Sequence, residues 1–179
     1  MKRSRVAKRY AQALFEAAQD SNALEQVEYD LDLLASEYEQ VKEFKLLIDS
    51  PVISNELKQS TFTELFKERL NSLTFRFVSL LIQKNREGLL PAVVTHFHDL
   101  LDEHRGIVRG MVKTVVQLQP NQLAILQEQL ESRIGKKVIL TQQEDKQLLG
   151  GFVVKVQDMV FDASLKQQLN KLRSYLSES

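Results

Sequence analysis

The 179-residue chain has no cysteine and no tryptophan, only three prolines and six glycines, and no net charge, with 24 Lys plus Arg against 24 Asp plus Glu. The missing cysteine excludes disulfides, thiolate zinc sites and iron–sulfur clusters, and nothing points to secretion. The charge balance removes support for a general affinity for nucleic acid or an anionic membrane surface. No stretch approaches the roughly 20 apolar residues of a membrane span. Lys2, Arg3, Arg5, Lys8 and Arg9 make a basic start, but no apolar run of signal-peptide length follows. The expectation is a mature chain that starts at or near Met1, works in the cytoplasm and meets a membrane only through partners.

What is present is an ordinary globular composition, 43% hydrophobic and 27% charged. That suffices for one or two domains with real cores. The first 105 residues read as six helices. Leu24, Val27, Leu31, Leu34 and Tyr38 step at helical spacing, and Asn22 with Glu25 has the pattern of a capping pair before them. Phe44, Leu47 and Ile48 mark a short third helix that Pro51 ends. Ser54 can cap a fourth, with Leu57, Leu65, Phe66 and Leu70 on one face. A fifth runs from about Ser72 to Lys84. Gly88 separates it from a sixth that carries Leu90, Val93, Val94, Phe97, Leu100 and Leu101.

After His104–Arg105–Gly106 the pattern changes. Val108, Val112, Val116 and Leu118 share one side of a period-2 strand. A helix follows Pro120 with Leu123, Leu126, Leu130 and Ile134 inward, and Lys137 to Thr141 is a short strand. Gly151 to Val156 and Met159 to Asp162 form a hairpin turned at Gln157–Asp158. Ser164 with Gln167 caps a last helix striped by Leu165, Leu169, Leu172 and Leu176. The fold class is therefore mainly α, a six-helix bundle over residues 1–105 followed by a small α+β domain over 106–179.

Groups able to do bond chemistry are scarce. His96 and His98 lie two apart on a helix and point in nearly opposite directions, while His98 has Asp102 within reach at i+4. Converging ligands for a metal are missing. Gly150–Gly151 lacks the further glycines and the Lys–Ser/Thr of a phosphate loop, so a bulge or close backbone approach explains it better. The carboxylates lie near Lys and Arg on helix faces, as solvated charges do. No cofactor and no catalytic residue is expected.

Two helices carry more apolar surface than a single core face needs. Val6, Ala7, Tyr10, Ala11, Ala13, Leu14, Phe15, Ala17 and Ala18 cover about 200° of the first helix, against the roughly 100° of an ordinary surface helix. On the fifth, Leu73, Phe75, Phe77, Val78, Leu80, Leu81 and Ile82 cover about 220°. One explanation is that both helices are central and fully buried. The other is that each shows a second face to a partner, forming a groove for an incoming amphipathic helix.

Arg9–Tyr10–Ala11–Gln12–Ala13–Leu14–Phe15 resembles the opening motif of the ATP synthase delta subunits and the mitochondrial oligomycin-sensitivity-conferring protein. Asp49–Ser50–Pro51–Val52–Ile53 resembles that family's break after the third helix, and Leu81, Asn85 and Arg86 fit its Leu…Asn…Arg segment. The run from Gly150 to Val156, then Asp158 to Leu165, is similar to its C-terminal glycine, hairpin and Asp–Gly–Ser signature. Gln157 and Ala163 stand where glycines are usual. The likeness covers the whole chain.

The resemblance implies a non-catalytic adaptor at the cytoplasmic face of an energy-coupling membrane. Its helical domain would bind the N-terminal helix of an alpha subunit in a groove between helices 1 and 5. Its C-terminal domain would bind the C-terminal end of the b-type peripheral stalk subunits. The groove residues carried over are Val6, Tyr10, Ala13, Ala17, Phe77 and Leu80. Ala11, Leu14, Phe15, Val78, Leu81 and Ile82 would face the core. The rival class, a helical regulator that binds nucleic acid, lacks a basic stripe beyond the first nine residues.

Overall fold

The computed structural model describes residues 2–177, without the side chains of 2–4, 171, 172 and 174–177. The chain divides into two compact units, residues 1–101 and 102–179, so the division falls four residues before the expected one. Among the described residues the first unit holds α1 (Lys2–Asp20), α2 (Leu24–Gln40), α3 (Lys42–Asp49), α4 (Asn55–Phe66), α5 (Ser72–Gln83), a 3-10 turn (Glu87–Leu89) and most of α6 (Leu90–His104).

Each helix ends for a local reason. Asn22 and Asn85 adopt left-handed φ of 51° and 55° just past α1 and α5. At α1, the Ala23 N–H reaches Ala18 O at 2.8 Å and the Asn22 N–H reaches Gln19 O at 3.1 Å. At α5, the Arg86 N–H bonds Leu81 O at 2.8 Å and the Asn85 N–H bonds Ile82 O at 3.0 Å. These are paired C-terminal caps of the Schellman kind, in which asparagine replaces glycine. Asn22 therefore ends α1 rather than starting α2; Ala23 occupies the N-cap of α2, with no side-chain cap bond. Asparagine suits both positions, which is why spacing alone misassigns it. Ser54 does cap α4, accepting from the Leu57 N–H at 3.3 Å.

The core of this unit is aromatic at its centre. Phe62 and Phe66 are buried, their rings 5.1 Å apart, and Phe75 stacks on Phe62 at 5.4 Å. The stripe expected on α4 holds at Phe66 and at Leu70 just past the helix, both buried, and fails at its other two positions. Leu57 and Leu65 are exposed, and the buried face carries Lys58, Phe62 and Phe66. Lys58 turns inward because its ammonium pairs with buried Glu87 and donates to the Ile48 carbonyl in the last turn of α3. Asp30, fully buried, accepts the Asn71 N–H at 2.8 Å and so fixes where α5 begins.

The second unit contains β1 (Ile107–Thr114), α7 (Pro120–Ile134), β2 (Lys137–Glu144), β3 (Phe152–Val156), β4 (Met159–Asp162) and α8 (Leu165–Ser177). The sheet order is β2-β1-β3-β4. β1 and β2 pair in parallel across α7, and β3 pairs antiparallel with β1 and β4. Parallel neighbours need such a crossover, and its helix lies on one face of the sheet. Val108, Val112, Val138, Leu140, Val154 and Val156 supply the sheet's half of the core, and Leu126 and Leu130 of α7 supply the other. Pro120 opens α7 at its first position and left-handed Gly135 closes it.

Three sequence expectations change here. Val116 lies beyond the end of β1 and is 71% exposed, because the strand stops at Thr114. β2 is longer than expected, continuing to Glu144 with an exposed polar end. Leu165 and Leu169, expected to cover a core, are exposed at 45% and 59%; Leu172 and Leu176 lie outside the described side chains. The hairpin turn falls at Gln157–Asp158, with Gln157 at φ 52°, the conformation that a glycine adopts without strain.

Gly150–Gly151 is a close backbone approach. A Cβ on Gly151, where φ is +77°, would lie 2.3 Å from the Ala163 carbonyl oxygen. Gly151→Ala is expected to lower unfolding stability by about 2 kcal/mol or more, through both the collision and the strained φ. Gly88→Ala, at a position facing open space, serves as the control in the same urea titration and should change little.

Candidate functional site: the α1–α5 groove

Helix α1 is two-sided. Ala7, Ala11, Leu14, Phe15 and Ala18 are buried, and Ala7, Ala11 and Ala18 have no exposed surface. Val6, Tyr10 and Ala17 are half-buried and Ala13 is exposed. Those four follow i, i+4, i+7, i+11, which places them along one outer strip. Alanines on the inner side let the helix sit close to the bundle, and Phe15 meets Phe97 edge-on at 5.8 Å.

Helix α5 divides in the same way. Thr74, Val78, Leu81 and Ile82 are buried, Leu73 is half-buried and Leu80 is 40% exposed. Phe77 is only 9% exposed, because the Tyr10 ring stands over it edge-to-face at 6.2 Å and 71°. Phe77 is thus the floor beneath Tyr10, and Leu80 is a wall. Val6 and Asn85 line one cleft, while Tyr10 meets Phe77 further along. The start of α1 therefore lies beside the end of α5, and the two helices run antiparallel.

Arg86 packs against Tyr10 at that end. It donates to the Tyr10 hydroxyl at 2.9 Å, and its guanidinium lies 5.7 Å from the ring centroid. The left-handed turn at Asn85 aims it there. The adjoining cleft, of about 680 Å³, is lined by Val6, Ile53, Asn85, Arg86, Glu87 and Asp49, among others. Asp49 accepts the Tyr38 hydroxyl at 2.8 Å. Burial first, then that hydrogen bond and the Asp49 charge, push the Tyr38 hydroxyl above its ordinary pKa.

Of the expected groove residues, Val6, Tyr10, Ala13 and Ala17 share one side of α1 and Leu80 is exposed on α5, while Phe77 is buried beneath Tyr10. Leu73 and Arg86, named in the sequence for other reasons, also lie beside these residues. Leu73 shares the spacing of Phe77 and Leu80 and is legible from it. Arg86 comes from 76 residues away from Tyr10, a separation that no local pattern reports. The histidines pair locally. His98 Nε2 meets Asp32 of α2 at 3.0 Å rather than Asp102, which is taken by Arg109. His96 Nδ1 lies 3.4 Å from Asp99.

The second unit offers a separate surface. The exposed leucines 165 and 169 of α8 are one part. The other is a cleft of about 330 Å³ between α7 and the β3–β4 hairpin, with Leu126, Gln129, Arg133, Phe152 and Phe161 in its walls. No described helix is long and apolar enough to cross a membrane.

The division of α1 into faces can be tested by volume. Ala11→Leu forces a larger side chain into filled space and should cost about 1–3 kcal/mol, while Ala13→Leu, on the outer strip, should leave the unfolding midpoint nearly unchanged. Thermal denaturation of the two variants distinguishes them; equal loss would mean the helix is turned differently.

A family model for the ATP synthase delta (OSCP) subunit matches residues 6–176. An ATP synthase subunit delta from Salinibacter ruber is 37% identical over 179 residues, covering 100% of this chain and 94% of that protein. One from Chlorobaculum parvum is 37% identical over 171 residues, with 96% and 94% covered. Among solved structures, a chain of the Toxoplasma gondii mitochondrial ATP synthase hexamer superposes with a TM-score of 0.70 at 25% identity, covering 95% of this chain and 96% of that one. The matched motifs, the full-length coverage and the shared architecture agree: the chain belongs to the ATP synthase delta (OSCP) subunit family.

Proposed function

We propose that this chain is a non-catalytic stator subunit of a proton-translocating rotary ATP synthase, joining the catalytic head to the peripheral stalk. In this reading the first unit receives the N-terminal helix of an alpha subunit in the α1–α5 groove. The second unit holds the C-terminal end of the b-type stalk subunits. The protein sits at the cytoplasmic face of the membrane, held there only through the complex. Its work is mechanical: it resists torque so that the head does not turn with the rotor, and it needs no cofactor, metal or nucleic acid.

The observation that carries the reading is the open outer strip on α1 and α5. Val6 to Ala17 spans eleven residue steps, about 16 Å at 1.5 Å each, or about three helical turns. An amphipathic helix of that length would complete the burial these two helices leave unfinished. Ala13 and Ala17 permit close approach, and Tyr10 offers an aromatic face already braced by Phe77 and Arg86. A preformed trough does not have to order itself on binding, which favours tight association. Nanomolar affinity, worth about 12 kcal/mol, is within reach of such a contact.

Tyr10→Ala and Ala13→Asp are each expected to weaken binding of a peptide from the alpha N-terminus by about tenfold or more, with folding intact. Titration calorimetry on the full chain decides it, and unchanged affinity would remove the groove from the proposal. For the other joint, Leu165→Asp with Leu169→Asp should abolish capture of the C-terminal segment of the b-type stalk protein and leave alpha-peptide binding alone. Retained stalk capture by that variant would show that α8 is not the stalk surface.

A further inference from the structure

Among the described residues β2 and β4 are the edges of the second unit's sheet, and they differ in length: β4 has four residues, β2 has eight. A long edge strand offers a row of backbone groups to any extended chain. β2 also has a composition that favours self-pairing. The run Val138–Ile139–Leu140–Thr141–Gln142–Gln143 is rich in β-branched and apolar residues and contains neither a charge nor a proline.

The direction of the backbone groups on β2 follows from its ladder. The Lys137 N–H bonds Gly106 O at 3.1 Å and the Asp145 N–H bonds Thr114 O at 2.8 Å, so the odd-numbered residues turn toward β1. The groups of Val138, Leu140, Gln142 and Glu144 turn outward. At Val138 that outward pair is already taken. Gln127 Nε2 donates to the Val138 carbonyl at 2.9 Å, and the Glu131 carboxylate accepts the Val138 N–H at 2.9 Å. Gln127 and Glu131 lie one turn apart on α7 and are half-buried. Their amide and carboxylate present the donor and the acceptor that a neighbouring strand would present with its own backbone.

We infer that Gln127 and Glu131 are an edge clip, which closes β2 to the addition of a strand from a second copy of this chain. Leu126 and Leu130 supply the apolar packing of α7 on the sheet. The clip adds to that packing the occupation of the slot beside Val138, next to the buried apolar half of β2 formed by Val138 and Leu140. With that slot filled, an incoming strand has only the outward groups from Leu140 to Glu144, at the exposed polar end of β2. So short a ladder holds a strand poorly.

The test uses the full chain. Gln127→Ala with Glu131→Ala opens the edge, and Gly151→Ala, which destabilises the same unit away from β2, is the control. In sedimentation velocity over a concentration series, the mass of the double variant should rise to that of a dimer or larger, while the parent and Gly151→Ala stay monomeric. At low concentration the Val138 amide of the double variant should exchange with solvent roughly fivefold faster. In the associated species the amides of Leu140 and Gln142 should be slowed. Glu131→Gln, which keeps an acceptor for the Val138 N–H, should remain monomeric. If the double variant does not fold, Gln127→Ala alone, which frees only the carbonyl, is read against the same control. A folded variant that stays monomeric at every concentration overturns the clip. So does association no greater than that of Gly151→Ala, or protection gained elsewhere than on β2, since either traces association to a different surface.

Discussion

The helical unit depends on how closely α1 can approach the rest of the bundle. Ala7, Ala11 and Ala18, with no exposed surface, allow that approach, and Leu14 and Phe15 lock the helix at one rotation. Turning α1 by one position, about 100°, would bring Lys8 or Gln12 inward, and burying such groups without partners costs several kcal/mol. The outer strip is therefore not chosen separately. Once the alanine side is buried, Val6, Tyr10, Ala13 and Ala17 are the apolar residues left outside. Tyr10 then stands on Phe77, and Arg86 on Tyr10, because α5 is the neighbour that the same rotation presents.

Helix α5 is held by polar ties at both ends, which is why its own outer face is equally fixed. Buried Asp30 grips the Asn71 N–H at its start, and Asn71 itself caps the helix by accepting the Leu73 N–H at 2.9 Å. At its end, the left-handed Asn85 turns the chain toward Glu87, which pairs with Lys58 inside the unit. A buried ion pair of this kind adds little stability over an apolar pair of the same size, yet removing one partner leaves a costly lone charge. Its effect here is positional. It joins α3, α4 and the turn after α5 in one arrangement, and the position of Arg86 over Tyr10 follows from that arrangement.

Most of the architecture was legible because it follows from periodicity. The apolar stripes of α2, α6 and α7, the hairpin at Gln157–Asp158 and the inner–outer split of α1 all come from spacing along one element. What spacing misread involved choices settled by distant residues. On α4, Leu57 and Leu65 were expected inward with Phe66, but Lys58 and Phe62 share the buried face with Phe66 instead. The contest was decided by Glu87, 29 residues beyond Lys58, because only one rotation lets the ammonium reach it. Arg86 was read only as part of a family-like segment, and its contact with Tyr10 is invisible to spacing for the same reason, since the two lie on different elements. Asn22 was ambiguous by residue type, not by distance, because asparagine both caps helix starts and tolerates the left-handed turn at helix ends.

The two proposed joints of the adaptor differ physically. On that reading the head joint uses helices α1 and α5, whose inner faces are already packed. Helix α8 is held at its first turn, where the Ser164 hydroxyl accepts the Gln167 N–H at 3.3 Å and the Leu165 N–H reaches the Gly150 carbonyl at 3.0 Å. Beyond that turn, the one leucine with a described side chain, Leu169, faces water. A helix of 13 residues is marginal in water without a packed face. A partner covering Leu165 and Leu169 would stabilise α8 and bind it in one step, and part of the contact energy would be spent on that ordering. In a chain of two contacts in series, load fails at the one with less net free energy. On the proposed reading that is the stalk joint, unless the partner's surface is large enough to offset the ordering of α8.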